Sequence, residues 1–196
     1  MGSKQVQKIK ELKQLEIHIS KEWFNYWKDF SNLSDWHFWV VLAILVVPLI
    51  VLFFYIDRNK SLLLGFYGYN VHVFFTYIDA LGADKAYWFY PYKVLPILPG
   101  SLTLDVSFVP ICYMFMYQWT LNNKKNYYFY MVGLSVSFAF IIKPVMEALH
   151  LFQIERGANF LHLFLGYLLV GIIAKQITNL FVYLQTKPRN KVTNRG

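Results

Sequence analysis

Lys143, Glu147 and His150 stand at i, i+4 and i+7 in an apolar run that begins at Tyr127. On one helix that spacing gathers an ammonium, a carboxylate and an imidazole on a single face. Charged groups inside hydrocarbon-length segments are costly, so they need partners and are functional candidates by default. Glu147-x-x-His150 is the carboxylate–imidazole spacing that metal sites in helical bundles use. Asp105 and His162 could complete a mixed set of Asp105, Glu147, His150 and His162, suited to zinc or iron. Metal-free acid–base chemistry on a lipid head group is the other enzymatic option. Glu147 or His150 would be the base and Lys143 an electrostatic stabiliser, with Asp105 the remaining catalytic candidate. A second polar set, Gly65, Tyr69, His72, Thr76 and Asp79, recurs at helical spacing. Small residues permit close helix approach and polar ones bond across it, so this stripe is expected to face other helices. No Gly-x-Ser-x-Gly, P-loop, Cys/His pair or His-Glu-x-x-His occurs.

The elements that must position these residues are apolar runs. The chain of 196 residues is 57% hydrophobic and 15% charged, where soluble domains are about 45–50% apolar and about 25% charged. The excess lies in runs near the length a helix needs to cross a bilayer, about 20 residues. They cover about 36–56, 61–81, 102–120, 127–149 and 160–184. The expected fold is all-α: an integral membrane bundle of five transmembrane helices over 36–185, preceded by an amphipathic N-terminal helix in 1–35 and followed by a basic tail, 186–196. In the leader, Ile9, Leu12, Ile19, Trp23, Trp27 and Phe30 recur at helical spacing, which reads as a helix lying at the interface with its tryptophans at headgroup depth; a partly disordered leader is the alternative. Ser34 is the expected N-cap of the first span. Pro48, Pro110 and Pro144 are expected to kink or loosen their helices. Residues 82–101 form a loop, with Pro91, Pro96 and Pro99 excluding a regular helix and Ala86 to Tyr92 forming an aromatic cluster suited to an interface.

Alternating crossings bring the end of span two, the start of three, the end of four and the start of five to one membrane face. Asp79, Asp105, Lys143, Glu147, His150 and His162 therefore fall near one leaflet. Lys and Arg bias sets orientation. Arg58, Lys60, Lys124, Lys125, Lys187, Arg189, Lys191 and Arg195 give eight on the opposite face, against five for Lys21, Lys28, Lys85, Lys93 and Arg156. That places the C-terminus inside; counting Lys4, Lys8, Lys10 and Lys13 reverses it to nine against eight. The net charge of +8 sits in the leader, the turns and the tail, which points to anionic lipid and not to nucleic acid. The single cysteine, Cys112, lies in an apolar run and allows no internal disulfide.

Three stretches carry a resemblance. Tyr55-Ile-Asp-Arg-Asn-Lys60, then Asp105-Val-Ser-Phe-Val-Pro110-Ile-Cys-Tyr113 with Gln118, then Lys143-Pro-Val-Met-Glu147 resemble an uncharacterised family of small multi-spanning integral membrane proteins from spore-forming Gram-positive bacteria. The resemblance covers about residues 36–185 and leaves out the leader. It implies membrane topology and the bacterial cytoplasmic membrane, and it carries over no catalytic role.

Three functional readings follow. The polar cluster is structural, with Lys143 paired to Asp105 or Glu147, in a multi-pass protein whose role is structural or an interaction with a membrane partner or a second copy. Alternatively it is the binding or conduction site of a small transporter, or the site of an intramembrane enzyme, in which case a divalent metal is the conceivable cofactor. The first reading leads, because water reaches helix ends and polar groups are common there.

Overall fold

The computed structural model describes residues 2–96 and 100–187. The expected tail beyond Lys187, and Pro99 of the loop, lie outside the described residues. The fold is all-helical, with one short β-ladder. Six helices follow in order: α1 (Ser3–Phe30), α2 (Trp36–Tyr55), α3 (Ser61–Asp84), α4 (102–122), α5 (Tyr127–Ala148) and α6 (Phe160–Thr186). Their bounds lie close to the apolar runs because those runs are what the helices bury or present. Three of them, α2, α5 and α6, are long and apolar enough to cross a membrane. The most apolar window of α2 is only 11% buried by the rest of the protein. Val46, Val47, Ile50, Phe53 and Phe54 all stand exposed on it, a surface that needs a non-aqueous neighbour.

The core sits among α3, α4, α5 and α6. On α3 the buried positions include Leu64, Tyr67, Gly68, Val71, Phe75, Asp79 and Gly82, a stripe at helical spacing, with Asn70 buried beside it. It overlaps the expected polar stripe only in part. Asp79 is buried, and His72 and Thr76 are half-buried against α4, but Tyr69 points outward at 64% exposure. Gly65 meets nothing; the close approach is one turn on, at Gly68, against the Met114 side chain. Tyr67, Tyr113, Tyr117, Tyr127 and Tyr167 fill the core between these helices. Several of their hydroxyls are satisfied internally: Tyr67 and Tyr127 share a 2.7 Å bond, Tyr127 donates to the Gly171 carbonyl and Tyr113 to the Tyr167 carbonyl. Lys175 reaches in from α6 to the Tyr117 hydroxyl at 2.7 Å.

Two helices are interrupted, and in the same way. A π-turn at Leu104–Phe108 precedes Pro110, and a second at Phe138–Ile142 precedes Pro144. Proline has no N–H and its ring collides with the carbonyl four residues back. Those carbonyls belong to Val106 and Phe140, each inside its π-turn. Widening the turn removes the collision and reroutes the ladder: Val109 N–H donates to Leu104 O, and Lys143 N–H to Phe138 O. Such π-bulges cluster at functional sites.

The connections are built by specific bonds. Asp35, and not Ser34, caps α2 by accepting from His37 N–H. The 57–60 turn docks on the far end of α4. There Asp57 N–H donates to Gln118, Gln118 donates to Tyr55 O, and Lys60 bridges Asp57 and Asn122. Residues 85–101 are not a free aromatic loop. Trp88–Phe89 pairs antiparallel with Gln153–Ile154, with Trp88 opposite Ile154. Alternation along the strand sends Trp88 and Tyr90 into the core while Tyr87 stays outside. Helix α1 is ordered but contributes no buried residue. It is tied to this same loop by Trp27 and Ser31, which both donate to Lys93 O, and by Ser31 Oγ, which accepts from Lys93 N–H.

Candidate functional site

The buried charges meet at one end of the bundle. Asp79 comes from the last turns of α3, Asp105 from the first π-turn, and Lys143 from the residue just past the second. All three are at most 3% exposed. Asp79 is the hub. Its Oδ1 accepts from Trp88 Nε1 at 2.9 Å and from the Tyr90 hydroxyl at 2.5 Å; its Oδ2 accepts from Ser101 N–H at 2.9 Å. Lys143 Nζ donates to the Tyr90 oxygen at 2.9 Å and lies 3.7 Å from the centre of the Phe152 ring. Lys143, Tyr90 and Asp79 thus form a chain in which one phenol separates an ammonium from a carboxylate. The partner of Lys143 is this phenol, and neither Asp105 nor Glu147 bonds to it.

Two glycines make the geometry possible. Gly82 lies under the Trp88 indole, where a Cβ would sit 1.9 Å from the ring. Gly100 lies against both acids, where a Cβ would sit 2.4 Å from Asp79 Oδ2 and 3.2 Å from Asp105 Oδ2. The Gly82→Ala variant is expected to lose about 1–3 kcal/mol of stability, the usual cost of overpacking. Displacing Trp88 also removes a donor from Asp79, so chemical unfolding in detergent should show a lower midpoint than for Gly65→Ala, where the space is open.

Asp105 is the exception in this network. Its backbone carbonyl accepts from His72 at 2.7 Å if that ring nitrogen carries the proton, yet among the described residues neither of its carboxyl oxygens meets a hydrogen-bond partner. A cavity of about 30 Å³ is lined by Asp79 and Lys143 together with Phe75, Trp88, Tyr167 and the exposed His162.

The candidates divide cleanly. Asp79, Asp105 and Lys143 converge. Glu147 is half-buried and His150 is exposed. The face expected for Lys143, Glu147 and His150 does not form, because the helix ends at Ala148 and His150 turns into a left-handed conformation with φ 57°. Asp105, Glu147, His150 and His162 do not assemble: among the described residues no group of three His, Cys, Asp or Glu side chains could hold a metal ion. Trp88, Tyr90, Ser101 and Phe152 were not among the candidates. For the first two the sequence gives no signal, because Tyr87-Trp-Phe-Tyr90 is aromatic at every position and does not mark which rings turn inward.

No family model, curated protein or solved structure matches this chain. The site therefore has to be read from its own geometry.

Proposed function

We propose that this chain is a five-span integral membrane protein whose Asp79–Asp105–Lys143 centre binds and exchanges a small cation as part of transport or conduction. The observation that carries the reading is the Asp105 carboxyl, 1% exposed and without a hydrogen-bond partner among the described residues. A cluster kept only for cohesion has no use for an unbonded acid, since its burial costs stability and gains no bond. Helices α3 and α4 complete the five spans. The 24 residues of α3 reach about 36 Å at about 1.5 Å per residue, enough for a hydrocarbon core of about 30 Å. The motif likeness noted above and the Lys/Arg count support the bacterial cytoplasmic membrane with the C-terminus inside. The basic turns and tail suit anionic lipid.

A structural role is the second reading, and Asp79 favours it. Three donors from two chain segments close on one carboxylate, which ties the 85–101 loop to α3. A scaffold or partner-binding protein would need such a tie as much as a transporter would.

Two measurements test the first reading. In a Cys112→Ser background, single cysteines at Asn59, Lys85, Asn123 and Glu155 are labelled with an impermeant maleimide in oriented vesicles. Five spans require Asn59 and Asn123 on one side and Lys85 and Glu155 on the other; labelling of all four from one side rules the topology out. Proteoliposomes enclosing a pH-sensitive dye should then acidify or alkalinise under an imposed potential, and Asp105→Asn should fall to the rate of empty liposomes. Equal rates for the wild type and empty liposomes would leave the scaffold reading in front.

A further inference from the structure

The acceptor inventory of Asp79 specifies what Asp105 carries. An ionised carboxylate offers about four acceptor positions. Trp88 and Tyr90 occupy both on Oδ1, and Ser101 N–H occupies one on Oδ2. The remaining position lies on Oδ2, the oxygen that shares the space over Gly100 with Asp105 Oδ2. Among the described residues no donor reaches either oxygen of the Asp105 carboxyl. The charges point the same way. An ionised Asp105 would place a second buried carboxylate beside Asp79, which a low-dielectric site opposes, with Lys143 and Lys93 the ammonium groups near enough to offset it.

We propose that Asp79 and Asp105 share a single exchangeable proton, carried on Asp105 and donated to Asp79 Oδ2, and that the His162 cavity is its route to the membrane surface. This rests on the ion-handling reading and names its ion. Bound, the proton closes the open acceptor position on Asp79 Oδ2 and keeps the two acids from carrying two negative charges side by side. Released, it leaves two carboxylates facing each other over Gly100, with Lys143 as the ammonium bonded into the chain. The neighbouring ionisable groups are His72 on α3, Tyr90 and Lys93 on the loop, Lys143 on α5, and Tyr167 on α6. Lys93 Nζ lies 5.0 Å from the centre of the Trp23 ring on α1 and its charge also acts on both acids. Helix α2, which packs on the π-turn, brings only His37 at its start and Tyr55 at its end.

The cavity is walled mainly by apolar surface, with Asp79, Lys143, Tyr167 and the exposed His162 as its polar groups. Its volume of about 30 Å³ has room for about two waters at roughly 10–15 Å³ of probe-occupied space each, held by those polar groups. A proton arriving at His162 can pass to a water and on to Asp79 Oδ2, with Asp105 taking it from there. Each transfer makes one O–H or N–H bond as it breaks another, and no co-reactant is needed.

Infrared difference spectroscopy of the full chain in lipid, recorded in water and in deuterium oxide, reads the proton directly. The expected result is a carbonyl band of a neutral carboxylic acid that shifts in deuterium oxide. It should be present in the wild type and in Glu147→Gln, and absent in Asp105→Asn. In His162→Ala the band should remain but exchange its proton several-fold more slowly. Absence of the band from the wild type, or its persistence in Asp105→Asn, overturns the proposal. A band that appears only when sodium and lithium are removed also overturns it and gives the site to a metal cation. If the band behaves as expected while the proteoliposomes move no protons, the shared proton stands and the transport reading fails.

Discussion

Asp79→Ala is expected to cost about 3–5 kcal/mol of folded stability, the range found when one partner of a buried charged network is removed. The size follows from how many groups the change strands. Trp88 Nε1, the Tyr90 hydroxyl and Ser101 N–H all lose their acceptor in a region where none is more than 8% exposed. Each buried donor left unmatched costs about 1–3 kcal/mol. Lys143 loses the negative charge at the other end of its phenol bridge. Thermal or denaturant unfolding in a mild detergent measures the loss. The comparison that gives it meaning is Asp105→Asn. On substitution its new amide N–H₂ can take over the donation to Asp79 Oδ2 that the Asp105 proton is proposed to make. It should be as stable as the wild type or slightly more so. Equal, large losses in both variants would mean that the two acids do the same work, which their hydrogen bonds deny.

Lys143→Met is the second large effect, also expected at about 3–5 kcal/mol. Methionine is close to the lysine stem in volume and polarity, so packing against Phe152 survives and the change isolates the charge. What remains is a carboxylate at 3% exposure with its ammonium gone. Lys143→Met combined with Asp79→Asn should be less damaging than the two single losses added together, because residues in one network couple. Simple additivity in that double-variant cycle would show that Tyr90 does not transmit the interaction.

The helices were readable in the sequence because their cause is local. Runs of apolar residues bounded by Asp57-Arg-Asn-Lys60 and Asn122-Asn-Lys-Lys-Asn126 set their limits to within a few residues of those observed. That Asp79, Asp105 and Lys143 share one end was also legible, since alternating directions of travel are enough to deduce it. Which of the six ionisable groups would meet was not. Lys143, Glu147 and His150 look continuous on a straight helix, but the helix ends at Ala148, which takes His150 off that face and leaves Glu147 half-buried. The hydrogen bonds that define the site come from 88–101, where strand pairing across more than sixty residues decides which aromatics turn inward. That pairing leaves no alternation in Tyr87-Trp-Phe-Tyr90, which is aromatic throughout, and the tryptophan and tyrosine content there suits a membrane interface equally well.

The paired π-turns have a further consequence, which concerns phase. A π-turn inserts the equivalent of one extra residue into a helix, and one residue corresponds to about 100° of rotation at about 3.6 residues per turn. The two halves of α4 are therefore out of step with each other by roughly that angle, as are the two halves of α5. A face that is continuous along the coil is discontinuous along the sequence. Asp105 and Lys143 each lie at such a dislocation, so the inward direction at the polar end can vary without rotating the tyrosine-filled remainder of the same helix. The prolines hold that offset in place.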